Sequence, residues 1–392
     1  MKTAVHFGLG KIGRGFLGEL LHNSGYRVVF IDVADALVDM VNKTHSYTLF
    51  SIDRNFEERV IDNVAAVSSI RQEEEVVQAI AEAVTISTSI MFTNLPKIAA
   101  LLAKGLKARV GTGREKVIIM VCENAIMGTD HLRELIAETG LITETELDAV
   151  AAFPNVAVDR LALDGTHNGK EGIEVSDAFE LAIERQKLPD PEKQPVLGAE
   201  YVDNLDMFLQ RKIYMINCGH ALSGYYGQRK GYETVQEALR DPEIQAEVRA
   251  AVLESASALE RKYGFTHESL VEYMETMMFK RFLAPGIADA IARVSREPIR
   301  KLSPNDRIMG PAYLCEELGL ENGHLLRGAA CAMLFRNEED AQAVELQRFI
   351  AENGIDAAIT KYTGAEPDSR MFSVIREEYG KLAGAESGRY PS

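Results

Sequence analysis

Apolar residues follow two rhythms along this chain, and the change between them divides it. Up to about residue 190, short apolar runs of strand type alternate with stretches of helical period. Thr3–Phe7 is the first such run; a glycine-rich turn follows, then Arg14–Leu21 with helical spacing that stops near Gly25. Tyr26–Asp32 reads as a second strand ending in an acid. Glu73–Ala83 reads as a charged helix, Val84–Ser89 as a strand ending in small hydroxyl residues, and Leu95–Leu106 as a helix. Lys116–Cys122 is an almost wholly apolar, buried-strand run, and Ala149–Phe153 a further strand leading into Pro154–Arg160. Strands and helices in this alternation predict an α/β fold with a doubly wound parallel sheet of Rossmann type.

Beyond Lys187–Pro195 the rhythm is helical. Three prolines in that charged stretch hold neither a helix nor an inner strand, so the boundary is placed there. Helical period then runs through 203–226, 234–240, 241–263, 267–279, 286–294, 304–318, 323–335 and 340–353. There is no fixed-period repeat. The expected layout is a dinucleotide-type domain over 1–190 and a mainly α-helical domain over 196–392 that carries substrate and catalysis.

Composition narrows the class. The chain has 392 residues, 46% hydrophobic and 26% charged, as in an ordinary globular protein. Met1–Thr3 runs straight into a strand, so no cleavable leader is expected, and no apolar run approaches a membrane span. Cys122, Cys218, Cys315 and Cys331 form no close pair and read as free thiols of a reducing compartment. A cytoplasmic protein is expected. A net charge of −16 excludes nucleic acid as a partner and means that a small anionic substrate needs a local cationic cluster.

The first candidate site is the turn between the first strand and helix. Gly8 permits the tight turn, Gly10 lets the backbone approach a pyrophosphate, and Gly13 lets helix and strand pack closely. With Lys11, Ile12 and Arg14 these residues would seat the diphosphate on the helix N-terminus. Whether Arg14 reaches the phosphates or stays solvated is open. Asp32 falls where a carboxylate accepts from both ribose hydroxyls and repels a 2′-phosphate, so NAD is the expected cofactor. Strand ends of such a sheet face the ligand, which puts Ser87, Thr88, Asn124 and Asp159 there; for the last two, a turn-forming Asn and a salt-bridged Asp are the plain alternatives.

The second candidate is Lys212, Asn217 and His220, five and three residues apart. On an α-helix these offsets set Asn217 and His220 on adjacent rows, with Lys212 a turn earlier and to one side. A base, a neutral donor and an imidazole suit alcohol oxidation; a surface Lys, a helix Asn and a core His are the alternative. A third stretch, Arg293–Arg307, holds five cations against two acids. It fits either an anionic substrate group or an ion-pair network.

Together these pieces resemble the polyol-specific long-chain dehydrogenases, specifically their mannitol-phosphate branch. The matching stretches are His6–Phe16, Cys122–Asn124, Phe153–Arg160, the KxxxxNxxH of Lys212, Asn217 and His220, and Arg293–Arg307 with Gly310 and Pro311. The resemblance implies NAD-linked, metal-independent oxidation of D-mannitol 1-phosphate to D-fructose 6-phosphate, or the reverse. It assigns Lys212 as general base, Asn217 to the alkoxide and His220 to orienting the substrate. Asn124 and Asp159 assist, while Arg293 and Lys301 match substrate-contacting positions; Arg293, Arg300 or Lys301 would bind the phosphate. A free lysine stays protonated to about pH 10.4, and Arg211 and a cationic nicotinamide would both help such a base lose its proton. A monomer or weak homodimer is expected. One departure is Ser87–Phe92, which replaces the family's small-residue turn with a Val-Gly pair. Tyr226 and Lys230 spell a YxxxK, but without the glycine pattern and position that accompany it in short-chain dehydrogenases. A free-polyol or hexuronate dehydrogenase, or a non-catalytic NADH sensor, are the competing functions.

Overall fold

The computed structural model describes residues 2–125, 127–284 and 286–386. The chain divides into two compact units, Met1–Phe208 and Leu209–Ser392.

The first unit grows from β1 (Thr3–Phe7). A helix opens after the glycine turn, passes through a π-helical segment at Gly13–Gly18 and continues as α1 (Glu19–Asn23). Then come β2 (Arg27–Asp32), α2 (Asp35–Thr44), β3 (Tyr47–Ser51), β4 (Glu57–Ile61), β5 (Val64–Ser68) and α3 (Glu73–Glu82). They are followed by β6 (Thr85–Thr88), α4 (Leu95–Arg109), β7 (Val117–Val121), α5 (Gly128–Glu138), α6 (Glu144–Val150) and β8 (Ala151–Ala152). Six strands lie in the order β5-β2-β1-β6-β7-β8, every neighbouring pair parallel. This is the doubly wound Rossmann-type sheet that the alternation predicts.

The apolar runs follow from two cores. Ala4, Val28, Phe30 and Met120 face one, shared with α1 and α2; Val5, Val29, Ile31 and Ile119 face the other, shared with α3, α4 and α5. Successive side chains point to opposite faces, so a strand buried on both keeps no polar face.

A second sheet was not expected. It has the order β11-β10-β3-β4, from β11 (Glu200–Val202) and β10 (Lys170–Glu184), with β9 (Val156–His167) antiparallel to β10. The pattern predicts no strand over 161–186, for two reasons. Charged residues punctuate the run, and a register shift between Val175 and Phe179 breaks its period of two. The proline-rich stretch packs on the first unit: Leu188 and Val196 are buried in its core, and Tyr26 donates to the Pro195 carbonyl at 2.9 Å.

The second unit is helical, as its rhythm predicts. α7 (Leu205–Arg211) crosses into it, a π-helical segment covers Lys212–Asn217, and α8 (Cys218–Lys230) continues. α9 (Val235–Arg240) starts on a capping box of Thr234 and Glu237, and α10 (Pro242–Tyr263) on the Asp241 carboxylate. α11 (His267–Met274) runs into a third π segment, Glu275–Lys280. The expected helix over 286–294 shrinks to α12 (Ile291–Val294), because Ala290 is extended and bridges Thr234. α13 (Pro298–Lys301) and α14 (Met309–Leu318) come next; the latter starts five residues late, after a turn held by Asp306, which accepts from the Arg307 N–H. α15 (Gly323–Ala332) and α16 (Ala341–Thr363), interrupted at Gly354, precede α17 (Arg370–Glu386), which the pattern missed. Among the described residues no helix is long and apolar enough to cross a membrane.

One buried pair ties the second sheet to the helix that follows the glycine turn. Arg160 on β9 lies between the Phe16 and Phe179 rings, 5.8 and 5.4 Å from their centroids, and donates to Glu19 at 2.5 Å and to the Gly15 carbonyl at 2.9 Å. Glu19→Gln leaves that guanidinium buried and uncompensated, which costs about 3–5 kcal/mol in comparable pairs. Urea unfolding should show a markedly lower midpoint; an unchanged one would mean that Arg160 is held by its carbonyls and rings alone.

Candidate active site

The first group of candidates surrounds the glycine turn. Gly8 takes φ +110° as β1 ends, and a Cβ there would stand 2.7 Å from the Ser89 carbonyl oxygen. At Gly13 a Cβ would collide with the carbonyl of Gly8; at Gly10 it would meet nothing within 4 Å. Two glycines are therefore required by the protein, and the third leaves open space over the turn. Asp32 ends β2 at the lip of the turn and accepts from the Leu9 N–H at 2.5 Å and the Ala34 N–H at 2.9 Å. Lys11 is exposed, 3.7 Å from Asp164. Arg14 is not solvated: it is buried, and its Nε donates to the Leu9 carbonyl at 3.0 Å, bracing the turn from within.

Beneath the turn lies a residue that the motif hides. His6 on β1 is fully buried, with Nδ1 2.7 Å from Ser87 Oγ and Nε2 2.8 Å from Ser89 Oγ. Burial pulls its pKa down to about 3, so the ring is neutral. One nitrogen then donates and the other accepts, which pins the ends of β1 and β6 together. The available signal was register: His6 pairs with Ser87 across parallel strands. The Ser87 hydroxyl is thus engaged inside the protein. Thr88 is likewise turned inward, donating to Glu123 at 3.3 Å.

Glu123 holds the loop where the family pattern departs. Its carboxylate accepts from the N–H groups of Ile90 at 2.6 Å and Met91 at 3.1 Å, and Met91 sits at φ +71°. Next to this loop a small cavity of about 180 Å³ is lined by Ile12, Ser89, Met91, Asn124 and Asp159, among others. The structure therefore brings Asn124 and Asp159 together beside the glycine turn.

The second group sits on the helix of the second unit, and here the α-helical expectation needs correction. Five residues of α-helix turn about 500°, which would leave Lys212 and Asn217 about 140° apart. Instead the Cys218 N–H donates to the Ile213 carbonyl, five residues back, within a π-helical segment. That wider turn carries Asn217 round to the row of Lys212. Lys212, Ile213, Asn217 and His220 are part-exposed, while Tyr214, Met215, Ile216, Cys218 and Gly219 are buried. The three polar heads share one stripe.

His220 is fixed from two sides. Its Nε2 lies 3.1 Å from Asp289, and Phe282 stacks on the ring at 4.3 Å. Desolvation lowers the His220 pKa against the pull of the carboxylate, so the neutral ring keeps its proton on Nε2, facing Asp289, and Nδ1 is left as an acceptor. The hydrogen bond from His220 and then the Arg293 ion pair hold the Asp289 pKa at about 2. Asp289 and Phe282 carried no motif signal. Through Asp289, His220 and Arg293 come together.

The remaining cations are placed differently. Arg300 pairs with Glu297 at 2.8 Å and Asp306 at 3.1 Å, as in the ion-pair alternative. Lys301 is buried and donates to the carbonyls of Val294, at 2.6 Å, and Arg296. Burial, then the charges of Arg307 and Arg300, pull its pKa down to about 7. All four cysteines are buried free thiols.

Comparison with known proteins adds the family. Residues 2–194 match the model of the mannitol dehydrogenase Rossmann domain and residues 204–377 that of the mannitol dehydrogenase C-terminal domain. The chain is 38% identical to the mannitol-1-phosphate 5-dehydrogenase of Geobacillus stearothermophilus, over 97% of this chain and 99% of that one. In fold it resembles a substrate-free D-sorbitol dehydrogenase, with TM-score 0.80, 16% identity, and 98% and 93% of the two chains covered. The Pseudomonas fluorescens mannitol 2-dehydrogenase, solved with NAD and D-mannitol, gives TM-score 0.69 at 18% identity over 98% and 92%.

A neutral His220 has a consequence for stability. Its folded pKa is below 6.5 and its unfolded one near 6.5, so in that window the unfolded chain binds the extra proton and acid favours unfolding. Wild type should lose stability below about pH 6.5, and His220→Gln should lose less, as read from melting temperatures between pH 7.5 and 5. His6 adds the same slope to both chains and cancels. Parallel curves would mean that folding leaves the ring's proton affinity unchanged, and a wild type that lost less than the variant would mean that the folded ring is held charged.

Proposed function

The chain belongs to the mannitol dehydrogenase family, and from that premise we propose that it oxidises D-mannitol 1-phosphate to D-fructose 6-phosphate with NAD and runs the reverse reduction. The observation that carries the chemistry is the single part-exposed stripe of Lys212, Asn217 and His220 created by the π turn. The choice of a phosphorylated polyol is supported by full-length similarity to the Geobacillus protein of that name. The substrate is a small sugar phosphate.

NAD, when bound, supplies the hydride acceptor. The first unit fits such a dinucleotide: the space over Gly10 is open to a pyrophosphate, and Asp32 stands where ribose hydroxyls would donate to it. That carboxylate would repel a 2′-phosphate, which favours NAD over NADP. Asn124 and Asp159, beside the same turn, are assigned to assisting the reaction.

In the second unit, Lys212 takes the proton of the hydroxyl as its carbon loses hydride, so the alcohol gives up one proton and one hydride and becomes a ketone. Asn217 donates its amide N–H to the oxygen as charge develops there. His220 accepts from a neighbouring substrate hydroxyl through Nδ1, because its Nε2 proton is committed to Asp289. Proton removal and charge stabilisation are both assigned to side chains, so the reading needs no metal. Arg293, with 58% of its side chain exposed, is our choice for the phosphate. Arg300 supports it from its ion pairs, while the Lys301 ammonium braces the backbone beneath.

NADH oxidation across a substrate panel tests the whole reading: fructose 6-phosphate should be reduced and free fructose only weakly. Absence of turnover with the phosphorylated sugar would reject it. Lys212→Ala should lower turnover by at least ~10²-fold and leave NADH affinity almost intact; near-normal turnover would remove the lysine from the chemistry. Gly10→Ala should fold and melt as the parent does but weaken NAD binding roughly tenfold, about 1.4 kcal/mol. A variant that melts early instead would mark Gly10 as a packing glycine.

A further inference from the structure

A cavity of about 1040 Å³ in the first unit lies at the opposite end of the parallel sheet from the glycine turn. Its lining includes Lys2, Val84 and Lys116, which precede β1, β6 and β7 at their amino ends, whereas Gly8 follows the carboxyl end of β1. A strand of five residues puts about 17 Å between the two regions.

Strand register and the end of α4 bring three cations together here. Ala4 pairs with Thr85, and Thr85 with Ile118; two residues back, the same row reads Lys2, Ala83, Lys116. The two lysine backbones are thus two strand spacings apart, about 10 Å. Between them, Arg109 donates to the Ala83 carbonyl at 2.7 Å, to the Ala81 carbonyl at 2.9 Å and to the Glu115 carbonyl. Arg109 is 3% exposed, its Nε has no hydrogen-bond partner, and it lines the same cavity.

None of the three has a carboxylate partner among the described residues. The other cations of the lining do: Arg133 with Asp148 at 2.9 Å, Lys187 with Asp130 at 2.8 Å, and Lys193 with Asp190 at 3.6 Å. Carbonyl dipoles hold the Arg109 guanidinium in place but carry no net charge to balance it, and burial lowers its pKa. In a chain of net charge −16, three uncompensated cations in one cavity are more than solubility needs. Next to them the wall is apolar: Val84, Ile118, Ala152, Phe153 and Leu188.

We propose that this cavity is a second ligand site, for a nucleoside polyphosphate, whose phosphates lie along Lys2, Arg109 and Lys116 and whose nucleoside lies against the wall of Ile118, Ala152 and Phe153. The volume suits a molecule of that size. The site is independent of the reaction proposed above, since it shares no residue with it.

The test is binding of a fluorescent ATP analogue to the full chain saturated with NADH, which fills the glycine turn. Saturable binding is expected, weakened at least ~10-fold in the doubly substituted Lys2→Ala, Lys116→Ala chain, or about 1.4 kcal/mol. Both lysines are exposed, so this variant keeps its fold, and its NADH oxidation rate should match wild type. ATP should compete more strongly than tripolyphosphate, because only ATP uses the apolar wall. No binding at millimolar analogue, undiminished binding to the double variant, or equal competition by tripolyphosphate would each overturn the proposal.

Discussion

Between Lys212 and Asn217 the helix hydrogen-bonds five residues back instead of four, and the proposed chemistry depends on that extra residue. A π turn is wider than an α turn and is found mostly as a single turn at functional sites. Here neighbouring packing compensates. Tyr214, Met215 and Ile216 are buried, and the Arg211 guanidinium lies 4.2 Å from the Tyr273 ring centroid and 5.2 Å from that of Phe265. The displaced Tyr214 ring fills the space beside Gly310, where a Cβ would stand 2.8 Å from it. Wind the same residues as a plain α-helix and Lys212 would stand about 140° away from Asn217, off its row. The fold of the second unit thus fixes a register that sequence spacing alone misstates.

The same device recurs. A π segment at Gly13–Gly18 opens the helix after the glycine turn, and another at Glu275–Lys280 leads into Phe282, the stacking partner of His220. In the second unit α8, just past the first of its π segments, approaches the other closely: a Cβ on Gly219 would collide with the Met278 sulfur. Wide turns shift side chains by fractions of a helical step, which α-helical periodicity does not offer. Each is locked by a close approach that a larger residue would prevent.

These features decide what could be read from the chain. Five of the six strands of the parallel sheet were legible because both faces of its middle are buried, and two-sided burial writes itself as apolar runs; β5, at its edge with alternate residues only half-buried, was not expected. The glycine turn and Asp32 were legible because tight geometry restricts residue choice. The second sheet was not, since its bulge interrupts the alternation and its edges are charged. Lys212, Asn217 and His220 were found as a pattern, but their geometry was not, because spacing was converted to angle with the wrong helix. His6, Glu123, Asp289 and Phe282 act through partners 81, 33, 69 and 62 residues away. No local pattern records such pairings.

Charge shows the same gap between count and use. Arg293–Arg307 carries a surplus of three positive charges, yet Arg300 and Arg307 share Asp306, and Lys301 is buried under two carbonyls. Arg293 differs because its partner, Asp289, also holds His220. One carboxylate divides its lone pairs between an imidazole and a guanidinium, so its two partners are not independent. An anion that draws Arg293 away leaves Asp289 more fully to the Nε2 proton of His220, and strengthens the tautomer that presents Nδ1 to a substrate hydroxyl. On the proposed reading, a phosphate at one end of the sugar and a hydroxyl near the reacting carbon are then recognised through a shared group. Local surplus charge could not reveal this; the sharing of Asp289 does.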